Sequence, residues 1–229
     1  LAALIQLCSS LSISGNGIAL HVKTENADTA KRIWKLVKET YHVDGELSIV
    51  RKMKLKKNNV YHIKFQNHAK EILEDLGILT EDGLQERPFG LELKKECCAK
   101  SYLCGAFLAS GSANDPTKTS YHLEIAANSQ KHASYIQRLM KRFNLNAKII
   151  ERRNQFVVYL KMSEQISDFL RCIGAFEGVM RFEDERITRD FKNSLTRLDN
   201  CEVANEMKSQ KAAKSHLDDI EKIERAGKM

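Results

Sequence analysis

Apolar positions along the chain recur at two periods, and the two alternate. Leu1-Ala2-Ala3-Leu4-Ile5-Gln6-Leu7-Cys8-Ser9 is apolar with small residues on one helical face, and it leads to the turn-prone run Ser14-Gly15-Asn16-Gly17. Ile18 to Thr24 then alternates polar and apolar side chains, the period of a half-buried strand. Ala30, Ile33, Trp34, Val37 and Tyr41 return to helical spacing. Leu47 to Met53 and Val60 to Phe65 alternate again, and the charged step Lys56-Lys57-Asn58-Asn59 between them reads as a hairpin. An amphipathic helix from His68 to Leu76 stops at Gly77, where glycine can take the left-handed conformation.

The same order then returns. Leu103-Cys104-Gly105-Ala106-Phe107-Leu108-Ala109-Ser110-Gly111 repeats the opening run at an offset of 102 residues, and Ser112 to Pro116 supplies its turn. Ser120 to Ile125 reads as a strand, and His132, Tyr135, Ile136, Leu139 and Phe143 match the first helical pattern at the same offset. Ala147 to Glu151 and Phe156 to Leu160 form the next strand pair around Arg152-Arg153-Asn154-Gln155, and Glu164 to Ile173 is a helix ending at Gly174. The pattern predicts an α+β fold in which an αββαββα unit is used twice. The first repeat spans 1-88 and the second 89-180, with polar Thr80 to Pro88 before the boundary and a helical approach from Leu91 to Tyr102 after it. In the remaining 181-229, Ile187, Phe191, Leu195 and Leu198, then Ala213, Leu217, Ile220 and Ile223, predict a tail of two helices outside the repeat.

Composition narrows the class. An apolar fraction of 42% with only two prolines in 229 residues excludes collagen-like and disordered chains. No stretch approaches the roughly 20 apolar residues that cross a bilayer, so the expectation is a cytoplasmic protein without a membrane partner. The six cysteines include no CxxC pair and no histidines at zinc-ligand spacing, which predicts reduced structural thiols and no metal or other cofactor. No glycine-rich phosphate loop and no locally supported Ser/His/Asp constellation is present.

A net charge of +7 and a pI near 9.0 permit attraction to nucleic acid or anionic lipid, and the cations are unevenly placed. Five of the seven residues from Arg51 to Lys57 are basic. Strand alternation sends Lys52, Lys54 and Lys56 to one face and Met53 and Leu55 to the other. Lys148, Arg152 and Arg153 occupy the corresponding hairpin of the second half. Arg51, Lys52, Lys54, Lys56, Lys57, Lys148, Arg152 and Arg153 are therefore the candidate phosphate contacts, with His21, Lys23 and Tyr121 as additions. The competing reading is a charged edge that discourages sheet-to-sheet aggregation.

A doubled αββαββα unit led by a small-residue helix resembles the LAGLIDADG homing endonucleases. It is similar, more narrowly, to the WhiA family through Thr24-Glu25-Asn26-Ala27, Arg51 to Tyr61, Ile72-Leu73-Glu74-Asp75-Leu76-Gly77-Ile78-Leu79, Ser101 to Ala109, Ser120-Tyr121-His122-Leu123-Glu124 and Asn200-Cys201-Glu202-Val203-Ala204-Asn205. Two departures stand out: Cys104 replaces the usual Arg, and family members carry further residues before Leu1. The resemblance implies a pseudo-two-fold saddle whose leading helices pack through Ala2, Ala3, Gly105 and Ala109. It also implies a tail leading toward a C-terminal helix-turn-helix that this chain does not reach.

LAGLIDADG nucleases end each leading helix in a carboxylate that holds a hard divalent ion. The two aligned positions hold Cys8 and Ser110, and the nearest carboxylates are Asp115 and Glu124 in the second half and only Glu25 in the first. The expectation is therefore no enzyme and no catalytic residues. What the family implies instead is a nucleoid-associated, non-catalytic module of a regulator of transcription, cell division, chromosome segregation or sporulation. Its partners would be double-stranded DNA and proteins of the transcription or division machinery. The alternatives are a protein-interaction scaffold that has lost DNA binding and a divergent metal-dependent endonuclease.

Overall fold

The computed structural model describes residues 1-14, 17-51, 59-66, 68-86, 93-117, 120-153 and 155-227. It divides into two compact units, Leu1–Met180 and Arg181–Met229.

The first unit holds the doubled pattern. Its first half runs α1 (Ala2–Cys8), β1 (Ser9–Ser14), β2 (Gly17–Thr24), α2 (Ala27–Tyr41), β3 (Glu46–Arg51), β4 (Asn59–Phe65) and α3 (Ala69–Asp75). A small hairpin follows, β5 (Leu79–Thr80) with β6 (Gly83–Leu84). The second half runs α4 (Glu96–Ser110), β7 (Gly111–Ala113), β8 (Leu123–Ala127), α5 (Gln130–Lys141), β9 (Lys148–Arg152), β10 (Gln155–Leu160) and α6 (Ser163–Cys172). Each half builds a four-stranded antiparallel sheet with the same order, β1-β2-β4-β3 and β7-β8-β10-β9.

Strand periodicity assigns the faces. Leu20, Val22, Ile63 and Phe65 point to one side of the first sheet and join Leu4, Ile5, Ile33, Val37, Ile72 and Leu73 in a single buried core. Leu123, Ile125, Val158 and Leu160 do the same in the second half, with Ile136, Met140 and Phe169 fully buried. The leading helices α1 and α4 pack on each other through small residues: a Cβ added at Gly105 would sit 3.2 Å from the Cβ of Ala3. Gly45 is constrained just as sharply, since a Cβ there would lie 2.5 Å from the Phe65 ring and 2.8 Å from Ile63.

Four sequence expectations change. The serine-rich run after α1 looks like the approach to a turn, yet Ser9–Ser14 pairs along its whole length with β2, with Ser9, Leu11 and Ile13 on the core side and Ser10, Ser12 and Ser14 on the open side. Gly111–Ala113 likewise forms a short strand instead of a turn, and the following strand begins later than expected, at Leu123. The repeat offset does not stay at 102. Ser9 pairs with Val22 while Gly111 pairs with Ile125, so the halves fall 103 apart after one extra residue in the second hairpin, and Ile33 corresponds to Ile136 rather than Tyr135.

The tail is one helix, α7 (Phe176–Ala226), not two. Neither proline nor glycine stands between Gly178 and Gly227, so nothing interrupts the backbone where the apolar pattern lapses around Asn200 to Gln210. Short-range pairs such as Lys222 with Asp219 and Arg225 with Glu221 line its last turns.

Candidate nucleic-acid interface and the ends of the leading helices

The face of each sheet turned away from the core is largely polar, with Val50 and Val60 on the first sheet and Ile150 and Val157 on the second among its apolar members. On the first sheet it carries Ser10 and Ser12 from β1, His21 and Lys23 from β2, His62 and Lys64 from β4, and Glu46 and Ser48 from β3. Register sets His21 opposite Lys64 and Lys23 opposite His62, and Ser12 Oγ lies 2.9 Å from His21 Nε2. On the second sheet the same face carries Glu124, Lys148, Ile150, Arg152, Gln155 and Tyr159. His122 stacks on Tyr159 with ring centroids 5.7 Å apart, and the Lys161 ammonium sits 5.3 Å from the Tyr159 centroid.

Among the candidates, Lys148 and Arg152 fall on this open face and are exposed. Arg152 leans toward the acid at its centre, with Nη1 3.7 Å from Glu124 Oε2, and His122 Nε2 lies 2.9 Å from the same oxygen. Arg153 takes a left-handed backbone, φ 51°, in the turn after β9. Arg51 is exposed but alternates with Leu47 and Ile49 on the helix side of β3, so it does not share the face of Lys23 and Lys64. Lys52, Lys54, Lys56 and Lys57 lie outside the described residues. His62, Lys64, Tyr159 and Lys161 are additions. The phase of Tyr61, Ile63 and Phe65 along β4 carries the signal for the first two, since it leaves His62 and Lys64 on the other face.

The ends of the leading helices are neutral and internally bonded. The Cys8 thiol donates to the carbonyl of Ala109 on α4 at 3.6 Å, and burial pushes its pKa up to about 11, so it is a thiol and not a thiolate at neutral pH. Ser110 Oγ donates to the carbonyl of Ala126 on β8 at 2.6 Å. Thr29 Oγ1 donates to the carbonyl of Leu108 at 3.4 Å, tying α2 to the end of α4. The carboxylates nearest in sequence are engaged elsewhere. Asp115 Oδ1 accepts from the Thr117 backbone and hydroxyl at 2.9 and 2.7 Å, and Glu124 faces His122 and Arg152. Among the described residues, no three His, Cys, Asp or Glu side chains converge as metal ligands. No described helix is long and apolar enough to cross a membrane.

Two αββαββα halves joined through paired leading helices, each with a four-stranded sheet of the same order, define a LAGLIDADG-type fold. A homing endonuclease solved bound to its DNA recognition sequence, I-WcaI, has this fold with a TM-score of 0.51 at 14% identity, over 76% of this chain and 79% of its own. A full-length DUF199/WhiA from Thermatoga maritima matches with a TM-score of 0.59 at 22% identity, over 84% of this chain and 63% of that one. Residues 1–79 match the WhiA N-terminal LAGLIDADG-like domain, and residues 99–192 the WhiA LAGLIDADG-like domain. The chain is 47% identical over 225 residues to the "Probable cell division protein WhiA" of Bacillus subtilis (strain 168), covering 98% of this chain and 71% of that protein. The chain belongs to the WhiA family.

Proposed function

We propose that this chain is a non-catalytic, duplex-DNA-binding module that serves a regulator of transcription in cell division, chromosome segregation or sporulation. The observation that carries the reading is the pair of matched sheets, each presenting cations on the face away from its core: Lys23 and Lys64 on one, Lys148, Arg152 and Lys161 on the other. Cations spread over an antiparallel sheet suit a duplex backbone, giving affinity without much sequence information. The basic residues Lys52, Lys54, Lys56 and Lys57, between β3 and β4 in the sequence, add to this charge.

Cleavage is not part of the reading. A LAGLIDADG nuclease needs hard oxygen ligands at the ends of both leading helices, and here one end offers a protonated thiol and the other a hydroxyl already donated to a backbone carbonyl. The core is a nuclease scaffold that has lost its metal ligands.

Fluorescence anisotropy of a labelled duplex across a salt series tests the binding. The expected result is affinity that falls steeply with salt, weakened both by Lys52/Lys54/Lys56→Glu and by Lys148/Arg152→Glu. The second variant should flatten the log–log salt slope by about 2. Absence of binding at low salt, or affinity untouched by both variants, would sink the reading. Plasmid should stay intact through long incubation with magnesium or manganese; a metal-dependent cut lost in Asp115→Ala would restore the nuclease alternative.

A further inference from the structure

The helix side of the first sheet is incompletely covered. Beyond α2, an apolar groove of about 520 Å³ opens between α2 and β3, floored by Trp34, Leu47, Tyr61 and Ile63 with Lys31 on its rim. Leu47 and Ile49, neighbours on the same face of β3, are 56% and 57% exposed. β3 is also an edge strand, with β4 on one side and no described strand on the other. An open edge beside exposed aliphatic side chains is a surface that soluble proteins ordinarily blunt.

The second repeat shows that the fold does not require it. Trp34 Nε1 donates to the carbonyl of Gly45 at 3.3 Å, and Gln137 Nε2 donates to the carbonyl of Ala147 at 2.8 Å, so Trp34 and Gln137 hold the same place in their repeats. Leu47 pairs with Ile63 where Ile149 pairs with Val158, and Ile49 pairs with Tyr61 where Glu151 pairs with Phe156. One architecture is thus built with Gln and Glu in one half, and with Trp and an exposed Ile in the other. Trp34 packs partly against the core of its half, so what the repeat does not require is its uncovered face and the exposed Ile49 beside it.

We infer that the groove and open edge of β3 dock an extended peptide segment of a protein partner, in which apolar residues alternate with aspartate or glutamate. Such a segment adds along the free edge of β3, which supplies backbone hydrogen bonds, and lays alternate apolar side chains over Leu47, Ile49 and Trp34. Charge selects its chemistry. Lys31 lines the groove and Arg51 follows Ile49 on the same face. A second copy of this chain, net charge +7, would bring like charge to that rim, whereas an acidic segment brings the opposite sign.

Selection of a displayed library of short random peptides on the immobilised full chain tests this, and Trp34, the one tryptophan of the chain, then reports occupancy by its emission. Enriched sequences should alternate apolar and acidic residues and shift Trp34 emission to the blue. Their affinity should fall by about ten-fold or more in Ile49→Glu, measured by anisotropy of a labelled peptide. Trp34→Gln, which installs the residue type that the second repeat uses at this place, should weaken them without loss of fold, checked by circular dichroism and thermal melting. Failure to enrich, enrichment of basic sequences, or equal binding to Ile49→Glu would overturn the proposal. So would a collapse of stability in both variants, which would assign these side chains to packing, or emission that instead tracks a concentration-dependent dimer in sedimentation, which would assign the groove to a second copy.

Discussion

The second helix of each repeat begins in the same way and then serves a different purpose. Asn26 caps α2 by accepting from the Thr29 backbone, and Ser129 caps α5 by accepting from the His132 backbone. The capped third residue is buried in both, but Thr29 reaches the carbonyl of Leu108 whereas His132 bonds the Tyr102 hydroxyl at 2.8 Å. Farther along, Trp34 leaves an apolar groove with one lysine in its lining, where Gln137 leaves one in which Arg138, Lys141 and Lys148 stand beside Leu145 and Ala147. Duplicated backbone geometry therefore fixes where side chains stand, while the residue type at each place decides whether it titrates, packs or waits for a partner.

The strongest way to break this comparison is to empty equivalent core positions. Phe65 and Leu160 pair with Leu20 and Leu123 at matching register and are both buried. Phe65→Ala should cost about 3 to 5 kcal/mol and Leu160→Ala about 2 to 5, each in a single urea transition. Two separated transitions in either variant would show that the halves fold independently despite the α1 and α4 contact.

Acid should act on the second repeat through His132. Burial holds the His132 pKa down at about 4 against an ordinary 6.5, so the folded protein keeps this ring neutral while the unfolded chain takes up a proton. The contribution is fully present above about pH 6.5 and is lost as pH falls toward 4, on the order of 3 kcal/mol in all. His132→Gln should flatten the stability profile in that window, and Thr29→Ala should leave its shape alone.

At the end of α1 the effect falls on thiol reactivity. With its pKa pushed by burial from 9.0 up to about 11, Cys8 should alkylate with iodoacetamide about 100-fold more slowly at pH 8 than an unperturbed thiol, after the exposed Cys97 and Cys98. Mass mapping of the modified peptides reads the order, and early labelling of Cys8 would contradict its bond to Ala109. The smallest effect is at the caps, where Asn26→Ala and Ser129→Ala should each cost about 1 kcal/mol. A large inequality between them in thermal melts would mean that one cap supports more than its own helix.

Much of this molecule is written locally. The β-branched and aromatic runs Leu47 to Arg51, Val60 to Phe65 and Phe156 to Leu160 are enough to place strands, the first two with charged or polar residues interleaved. Gly77 and Gly174, at φ 65° and 78°, end their helices as their positions in the sequence require. The small residues that let α1 approach α4 are legible as a stripe, and the succession of elements is enough to establish the doubled unit. Pairing lies beyond that reach. Ser9–Ser14 alternates Leu11 and Ile13 with serines, but Ile13 stays exposed, and it is the pairing with β2 that makes the run a strand. The one-residue slip between halves and the shared place of Trp34 and Gln137 both depend on register, which is set between strands distant in sequence. The apolar stretches of α7 show the converse: sequence spacing marks where a helix has a face, but whether the backbone breaks between two such faces depends on residues that can break it, and none is present.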